Sequence, residues 1–144
     1  MEKEFIPYEQ ALALKELGFD EPCLANYSID VIGETVPHFR YNNRISEAFS
    51  IDEGVWFNHN LDKEYVCSAP LYQQAFRWFR EKYDLDYSIK PVYGEKHYKK
   101  HRCNVYSKEQ LVQVMKYYFP DNPYFDSREE SELECLRKLI EIVK

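Results

Sequence analysis

A helix that runs directly into a β-hairpin constrains the fold of this chain more than any other feature. Residues 71–83 repeat apolar side chains at helical spacing, and residues 87–93 then alternate apolar with polar side chains. Gly94 and Glu95 are typical of a turn, and residues 96–106 return as the partner strand. Because two consecutive strands with no helix between them pair antiparallel, this order predicts an α+β fold.

Capping signals delimit the helices. Ser68 is the N-cap candidate for the helix that precedes the hairpin. A first helix is predicted over 8–17, where good helix formers follow a proline. Gly18 is its expected left-handed C-cap, and Phe19 is expected to fold back onto Leu14.

Two capping boxes predict two further helices. Ser107 with Gln110 begins a helix over 108–119, and Ser127 with Glu130 begins the C-terminal helix. In that last helix acids come early and bases late, which complements the helix dipole. Its expected buried stripe comprises Leu133, Leu136, Ile140 and Val143.

The segment before the central helix is extended and rich in turns. Short strands are predicted over 23–32, 36–41 and 47–57, followed by a polar loop over 58–63. The chain has neither an internal repeat nor a linker. We therefore predict one domain over 1–144, in which an antiparallel sheet of short strands and a C-terminal-half hairpin pack against about four helices.

The charge of the chain is unevenly distributed. It has 19 Lys and Arg against 25 Asp and Glu, a formal net charge of −6, which argues against general binding to nucleic acids. Residues 96–108 contain five bases and no acid, so the rest of the chain carries −11 from 14 bases and 25 acids. A small anionic partner at this one place remains compatible with the total.

The sequence also predicts a cellular setting. No apolar run approaches the ~20 residues that span a bilayer. The N-terminus lacks a basic segment followed by an apolar stretch, which a signal peptide requires. We expect a cytoplasmic protein with no membrane partner.

The four cysteines stand far apart in the sequence, at Cys23, Cys67, Cys103 and Cys135. A disulfide scaffold or a zinc ribbon needs denser spacing, so free, mostly buried thiols are predicted. His101 and Cys103 lie about 7 Å apart on one strand face and could share a metal ion. Because no second close pair exists in the sequence, no metal site and no cofactor are predicted.

One face of the strand over 96–106 interleaves cations with tyrosines. These residues are Lys96, Tyr98, Lys100, Arg102 and Tyr106. Lysine and arginine neutralise phosphate, and a tyrosine ring offers a surface on which a base stacks. The pattern predicts a site for a small anionic, nucleotide-like ligand. The alternatives are a solvated edge strand protected by lysines and a docking surface for an acidic protein.

Arg77 and Trp78 on the preceding helix are candidates to support this site. The hairpin follows that helix directly, so either arginine of the helix, Arg77 or Arg80, could join it in one pocket. The alternative is a helix whose Trp78 lies at the margin of the core and whose arginines face solvent.

Catalytic motifs are absent from the sequence. It has no G-x-S-x-G segment and no glycine-rich phosphate loop, so no catalytic residue is assigned and a binding protein is favoured over a small hydrolase. A cluster of aromatic residues over 117–125 is an alternative functional surface. It is suited to a homo-oligomer contact or to a protein–protein inhibitor or adaptor.

Three segments resemble a family of small uncharacterised proteins from phages and prophages. They are IPYEQALALKELGFDEPC, SAPLYQQAFRWFREKY and EESELECLRKLIEIVK. The resemblance implies an accessory protein acting inside a bacterial cell, where it would bind a host protein or a defence signal. The family pattern runs from the hairpin almost directly into the last helix, so residues 107–122 are a departure from it.

Overall fold

The structure is a computed structural model that describes residues 2–28, 57–61, 65–93, 99–107 and 124–144. Its α-helices are α1 (Tyr8–Glu16), α2 (Tyr72–Tyr83) and α3 (Arg128–Val143). Its strands are β1 (Ala25–Ser28), β2 (Tyr65–Ala69), β3 (Leu85–Tyr93), β4 (Lys99–Ser107) and β5 (Tyr124–Phe125). Short 3-10 helices occupy Glu2–Glu4 and Asn58–Asn60. Both sheets, β1-β2 and β3-β4-β5, are antiparallel, which confirms the α+β class.

The helix count differs from the expected one. The part of the chain that the structure describes contains three α-helices, where about four were expected. The helix expected over 108–119, the strand expected over 36–41, the strand expected over 47–57 except for Phe57, and the turn at Gly94 and Glu95 lie outside the described residues. None of the helices in the described ranges is long and apolar enough to cross a membrane.

The chain divides into two compact units, Met1–Tyr72 and Gln73–Lys144. The expectation of one domain over 1–144 stays a prediction, since such a division occurs within single domains as well as between domains.

The end of α1 has the geometry that its sequence predicts. Gly18 adopts a φ of 85°, the left-handed region in which glycine has no steric penalty. Its N–H donates to the carbonyl of Lys15 over 3.0 Å, and the N–H of Phe19 donates to the carbonyl of Leu14 over 2.9 Å. Phe19 and Leu14 are both buried. These two bonds with the apolar contact form a Schellman motif, so the expected C-cap is confirmed.

The sheet of the first unit has a fixed register. Asn26 lies opposite Ser68 and Tyr27 lies opposite Cys67, so the strand expected over 23–32 is confirmed for β1. The Tyr27 hydroxyl donates to the carbonyl of Ile6 over 2.6 Å and holds the N-terminal segment against this sheet.

The expected helix cap at Ser68 is wrong. Ser68 belongs to β2 and is buried, and α2 begins four residues later at Tyr72. A serine before Ala-Pro is a good local cap, but here pairing with β1 and burial of the strand determine the structure. Pro70 follows β2, and its carbonyl accepts a hydrogen bond from the N–H of Ile6 over 3.0 Å.

In the second unit α2 passes into the hairpin through a single residue. Asp84 has a φ of 56°, a conformation that aspartate tolerates better than most residues, and β3 begins at Leu85. The ring of Phe76 on α2 stacks on that of Tyr87 on β3 with centroids 3.7 Å apart. The direct connection of helix and hairpin is therefore confirmed, with β3 starting two residues earlier than expected.

The helix α3 packs against β4 and has the expected capping box. The Ser127 hydroxyl accepts from the N–H of Glu130 over 3.0 Å, and the Glu130 carboxylate accepts from the N–H of Ser127. Among the helix residues expected to be buried, Leu136 and Ile140 are so.

A disulfide joins Cys103 on β4 to Cys135 on α3, with Cα atoms 6.0 Å apart. The prediction of four free thiols is therefore wrong for this pair and right for Cys23 and Cys67, which are free and buried. The two cysteines are 32 residues apart, so their spacing in the sequence does not predict that they form a disulfide. The fold brings strand and helix together at the two cysteines.

Candidate functional site

The hairpin of β3 and β4 has two unlike faces. Cys103 and Val105 on β4 are buried on the side against which α3 packs. Alternation along a strand then directs Lys100 and Arg102 to the opposite side. Lys100 and Arg102 therefore share the face of β4 that lies away from Cys103 and Val105.

The strand register adds a third cation to this side. Lys90 on β3 lies directly opposite Arg102, and Val92 lies opposite Lys100. Residues opposite each other in an antiparallel pair share a face. We call Lys90, Lys100 and Arg102 together the cationic face.

The juxtaposition of Lys90 and Arg102 does not serve the stability of the sheet. Like charges directly opposite on neighbouring strands destabilise the pair, by an amount in the range of about 0.2–1 kcal/mol for cross-strand contacts. Lys90 is exposed and has no ion-pair partner within the described ranges. An anion bound between the two side chains would remove this repulsion.

Edge protection does not explain Arg102 on β4. Lysines on an edge strand discourage pairing with another chain, but β4 lies between β3 and β5 in the sheet. Arg102 itself is paired on both sides, with Lys90 and with Tyr124. At Arg102 the strand is therefore not an edge, whereas Lys90 lies on β3, an edge strand of this sheet, where the alternative of a lysine-protected edge still applies.

The short strand β5 adds an aromatic ring and a carboxylate to the cationic face. Tyr124 pairs with Arg102 and is 39% exposed. Asp126 follows, and its carboxylate lies 2.7 Å from the Nζ of Lys100. This carboxylate partly neutralises Lys100.

Carboxylates border the cationic face on β3 as well. Asp86 lies four residues before Lys90, or about 13 Å along the strand. Its carboxylate is 3.9 Å from the guanidinium of Arg80, and Tyr106 lies opposite it. Burial raises the pKa of Tyr106, and Asp86 adds to the shift. The Tyr106 hydroxyl donates to the Tyr87 carbonyl, so this end of the face is occupied by internal contacts.

The two helix residues expected to support the site differ in position. Arg77 is exposed on α2. Trp78 is 6% exposed, and its ring packs against those of Phe79 and Tyr83 at centroid distances of 5.1 and 5.4 Å. The ammonium group of Lys82 lies 4.7 Å from the Trp78 ring. Trp78 is therefore a buried residue that packs among aromatic rings of its own helix.

The other two expected site residues, Lys96 and Tyr98, lie outside the described residues. Three residues that the sequence analysis did not select join the site instead, namely Lys90, Tyr124 and Asp126. Alternation along β3 placed Lys90 on one face, but its partner follows only from the hairpin register.

Three observations argue against a catalytic or metal site in the described part of the chain. The sulfur of Cys103 is bonded to Cys135, so the suggested pair of His101 and Cys103 has lost a ligand. Burial raises the pKa of Cys23 and that of Cys67 to about 12, which keeps both thiols protonated and poorly nucleophilic. No group of three His, Cys, Asp or Glu side chains suited to a metal occurs in the described ranges.

Comparison with known proteins gives no match: no family model, no curated protein and no solved structure is similar to this chain.

Proposed function

We propose that this protein binds a small anionic, nucleotide-like ligand on the cationic face without turning it over. The observation that supports the proposal is the pairing of Lys90 with Arg102 in the middle of a hairpin face. The sheet holds the backbones of these two residues about 5 Å apart, so their cationic groups can reach one phosphate together. The arginine adds a planar donor pair suited to phosphate.

A small ligand fits this face better than a nucleic acid chain. The cations occupy a short patch, with Asp126 beside Lys100 and Asp86 further along β3. A polyanion would bring further phosphates against these carboxylates and against an acidic chain of net charge −6.

The biological setting is part of the same proposal. The resemblance of three segments to phage and prophage proteins supports an accessory protein, with a counter-defence role, in the cytoplasm of a bacterial host. A ligand of this chemistry would then be a nucleotide signal that the protein sequesters. The aromatic residues over 117–125 would serve a homo-oligomer contact.

The variant Lys90→Glu tests the proposal, because it has opposite effects on binding and on stability. Glutamate opposite Arg102 replaces repulsion by attraction, so the melting temperature should stay equal or rise, by the equivalent of about 0.2–1 kcal/mol. The same change reverses one of the two charges that hold the anion. We expect the affinity for a nucleoside monophosphate, measured by isothermal titration calorimetry, to fall at least ~10-fold.

Lys138→Glu is the control for net charge, and because this lysine pairs with Glu141, the melting temperature of the variant is measured alongside. This variant makes the same charge change on α3, which packs on the other side of the sheet, and it should leave binding unchanged. Equal binding by Lys90→Glu and the native protein would refute the assignment.

Native mass spectrometry of protein purified from host cells separates this proposal from its alternatives. A retained small molecule that absorbs as nucleobases do and is released intact by heat supports ligand capture. A stoichiometric host protein would instead support an inhibitor or adaptor, and release of a cleaved product would support a hydrolase.

A further inference from the structure

Three residues form a row across the sheet of the second unit. Lys90 on β3 lies opposite Arg102 on β4, and Arg102 lies opposite Tyr124 on β5. Neighbouring strands are ~4.8 Å apart, so the row extends about 10 Å at right angles to the strands. Its two ends differ in chemistry, with cations at one end and an aromatic ring at the other.

We infer that the ligand is a mononucleotide that lies across the strands, with its phosphate over Lys90 and Arg102 and its base on the ring of Tyr124. This inference rests on the proposed function and adds the orientation of the bound ligand. A base stacks on a tyrosine ring whatever its hydrogen-bonding groups, because every base has a π face. Tyr124 is exposed enough, at 39%, to present part of its ring.

The dimensions of the row set the size of the ligand. A row of about 10 Å matches one phosphate, one sugar and one base. Along the strands the next cation, Lys100, is already bound to Asp126 at 2.7 Å. A second phosphate placed there would approach that carboxylate, so a monophosphate is preferred to longer phosphate chains.

Tyr124 thereby becomes a specificity residue that distinguishes ligands with a base from those without one. The variant Tyr124→Ala removes the stacking surface and leaves Lys90 and Arg102 in place. Stacking energies correspond to a weakening of roughly 5- to 150-fold for a nucleoside monophosphate. The affinity for ribose 5-phosphate should stay the same, because this probe has the phosphate and no base.

Tyr124→Phe is the conservative control and should keep near-native affinity for the nucleotide, since the ring remains. Isothermal titration calorimetry measures the affinity of the native protein and of both variants for the nucleoside monophosphate and for ribose 5-phosphate. Equal weakening of both probes by Tyr124→Ala, or of neither, would overturn the orientation while phosphate binding still supports the cationic face. Failure of the native protein to bind either probe would overturn the proposed function and the orientation with it.

Discussion

Burial holds three ionisable side chains of the first unit in their neutral forms. They are the thiols of Cys23 and Cys67 and the phenol of Tyr27. Burial raises the pKa of each thiol from 9.0 to about 12, and it also raises the pKa of Tyr27. The Tyr27 hydroxyl donates a hydrogen bond to the carbonyl of Ile6, and the phenolate would lose this bond because it has no proton to donate. The folded state therefore binds these protons more tightly than the unfolded chain does.

The pH dependence of stability follows from the sign of these shifts. Between pH 9 and about 12 the thiols of the unfolded chain ionise while those of the folded protein stay protonated. Rising pH in this window therefore stabilises the unfolded state relative to the folded state. Each thiol should lower the free energy of unfolding by about 1.4 kcal/mol per pH unit in this window. Urea unfolding from pH 8 to 11 measures the slope. The variant Cys67→Ala should have a shallower slope, and equal slopes in the two proteins would contradict the argument.

At the scale of elements, the helix ends that depend on neighbouring residues could be predicted from the sequence. The Schellman motif at Gly18 and the capping box at Ser127 each involve a few consecutive residues, so the local sequence is enough to predict their hydrogen bonds. The cap at Ser68 failed because pairing with β1, more than forty residues away, outweighs a local signal.

The candidate site shows the same division between local and long-range information. Alternation alone placed Lys100 and Arg102 on one face of β4. The expected two-residue turn would pair residue 90 with residue 99, whereas the observed register pairs Lys90 with Arg102. Register depends on the length of the connection, so the like-charged pair could not be found without the structure. Tyr124 joins the face through β5, a contact remote in sequence.

The capping box of α3 gives a prediction at this scale. Ser127→Ala removes the hydroxyl that accepts from the N–H of Glu130, and one N-terminal donor of the helix loses its partner. The free energy of unfolding should fall by about 0.5–2 kcal/mol, measured by urea denaturation. Ser127→Asp keeps an acceptor at the N-cap and places a negative charge at the positive end of the helix dipole, so it should retain near-native stability. A stability of Ser127→Ala equal to that of the native protein would show that the box does not stabilise α3.

At the scale of the whole molecule, the net charge bears on the class of ligand and the disulfide bears on the cellular compartment. The net charge of −6 leaves room for a small anionic ligand at one place and argues against a polyanion. The disulfide between Cys103 and Cys135 is a bond that reducing compartments disfavour. It ties the central strand of the cationic face to the helix behind it. The oxidation state of this pair therefore bears on both the location and the stability of the protein.

Reduction of the disulfide should destabilise the second unit. A cross-link between residues 32 apart restricts the unfolded chain, which corresponds to about 4 kcal/mol of stability in the loop-entropy model. Thermal unfolding with and without a dithiol reductant measures this difference. The double variant Cys103→Ala, Cys135→Ala is the control, and its melting temperature should not respond to the reductant. Alkylation of the denatured, unreduced protein should modify Cys23 and Cys67 and leave the other two cysteines unmodified. Modification of all four in protein lysed under alkylating conditions would show that the bond is not formed in the cell.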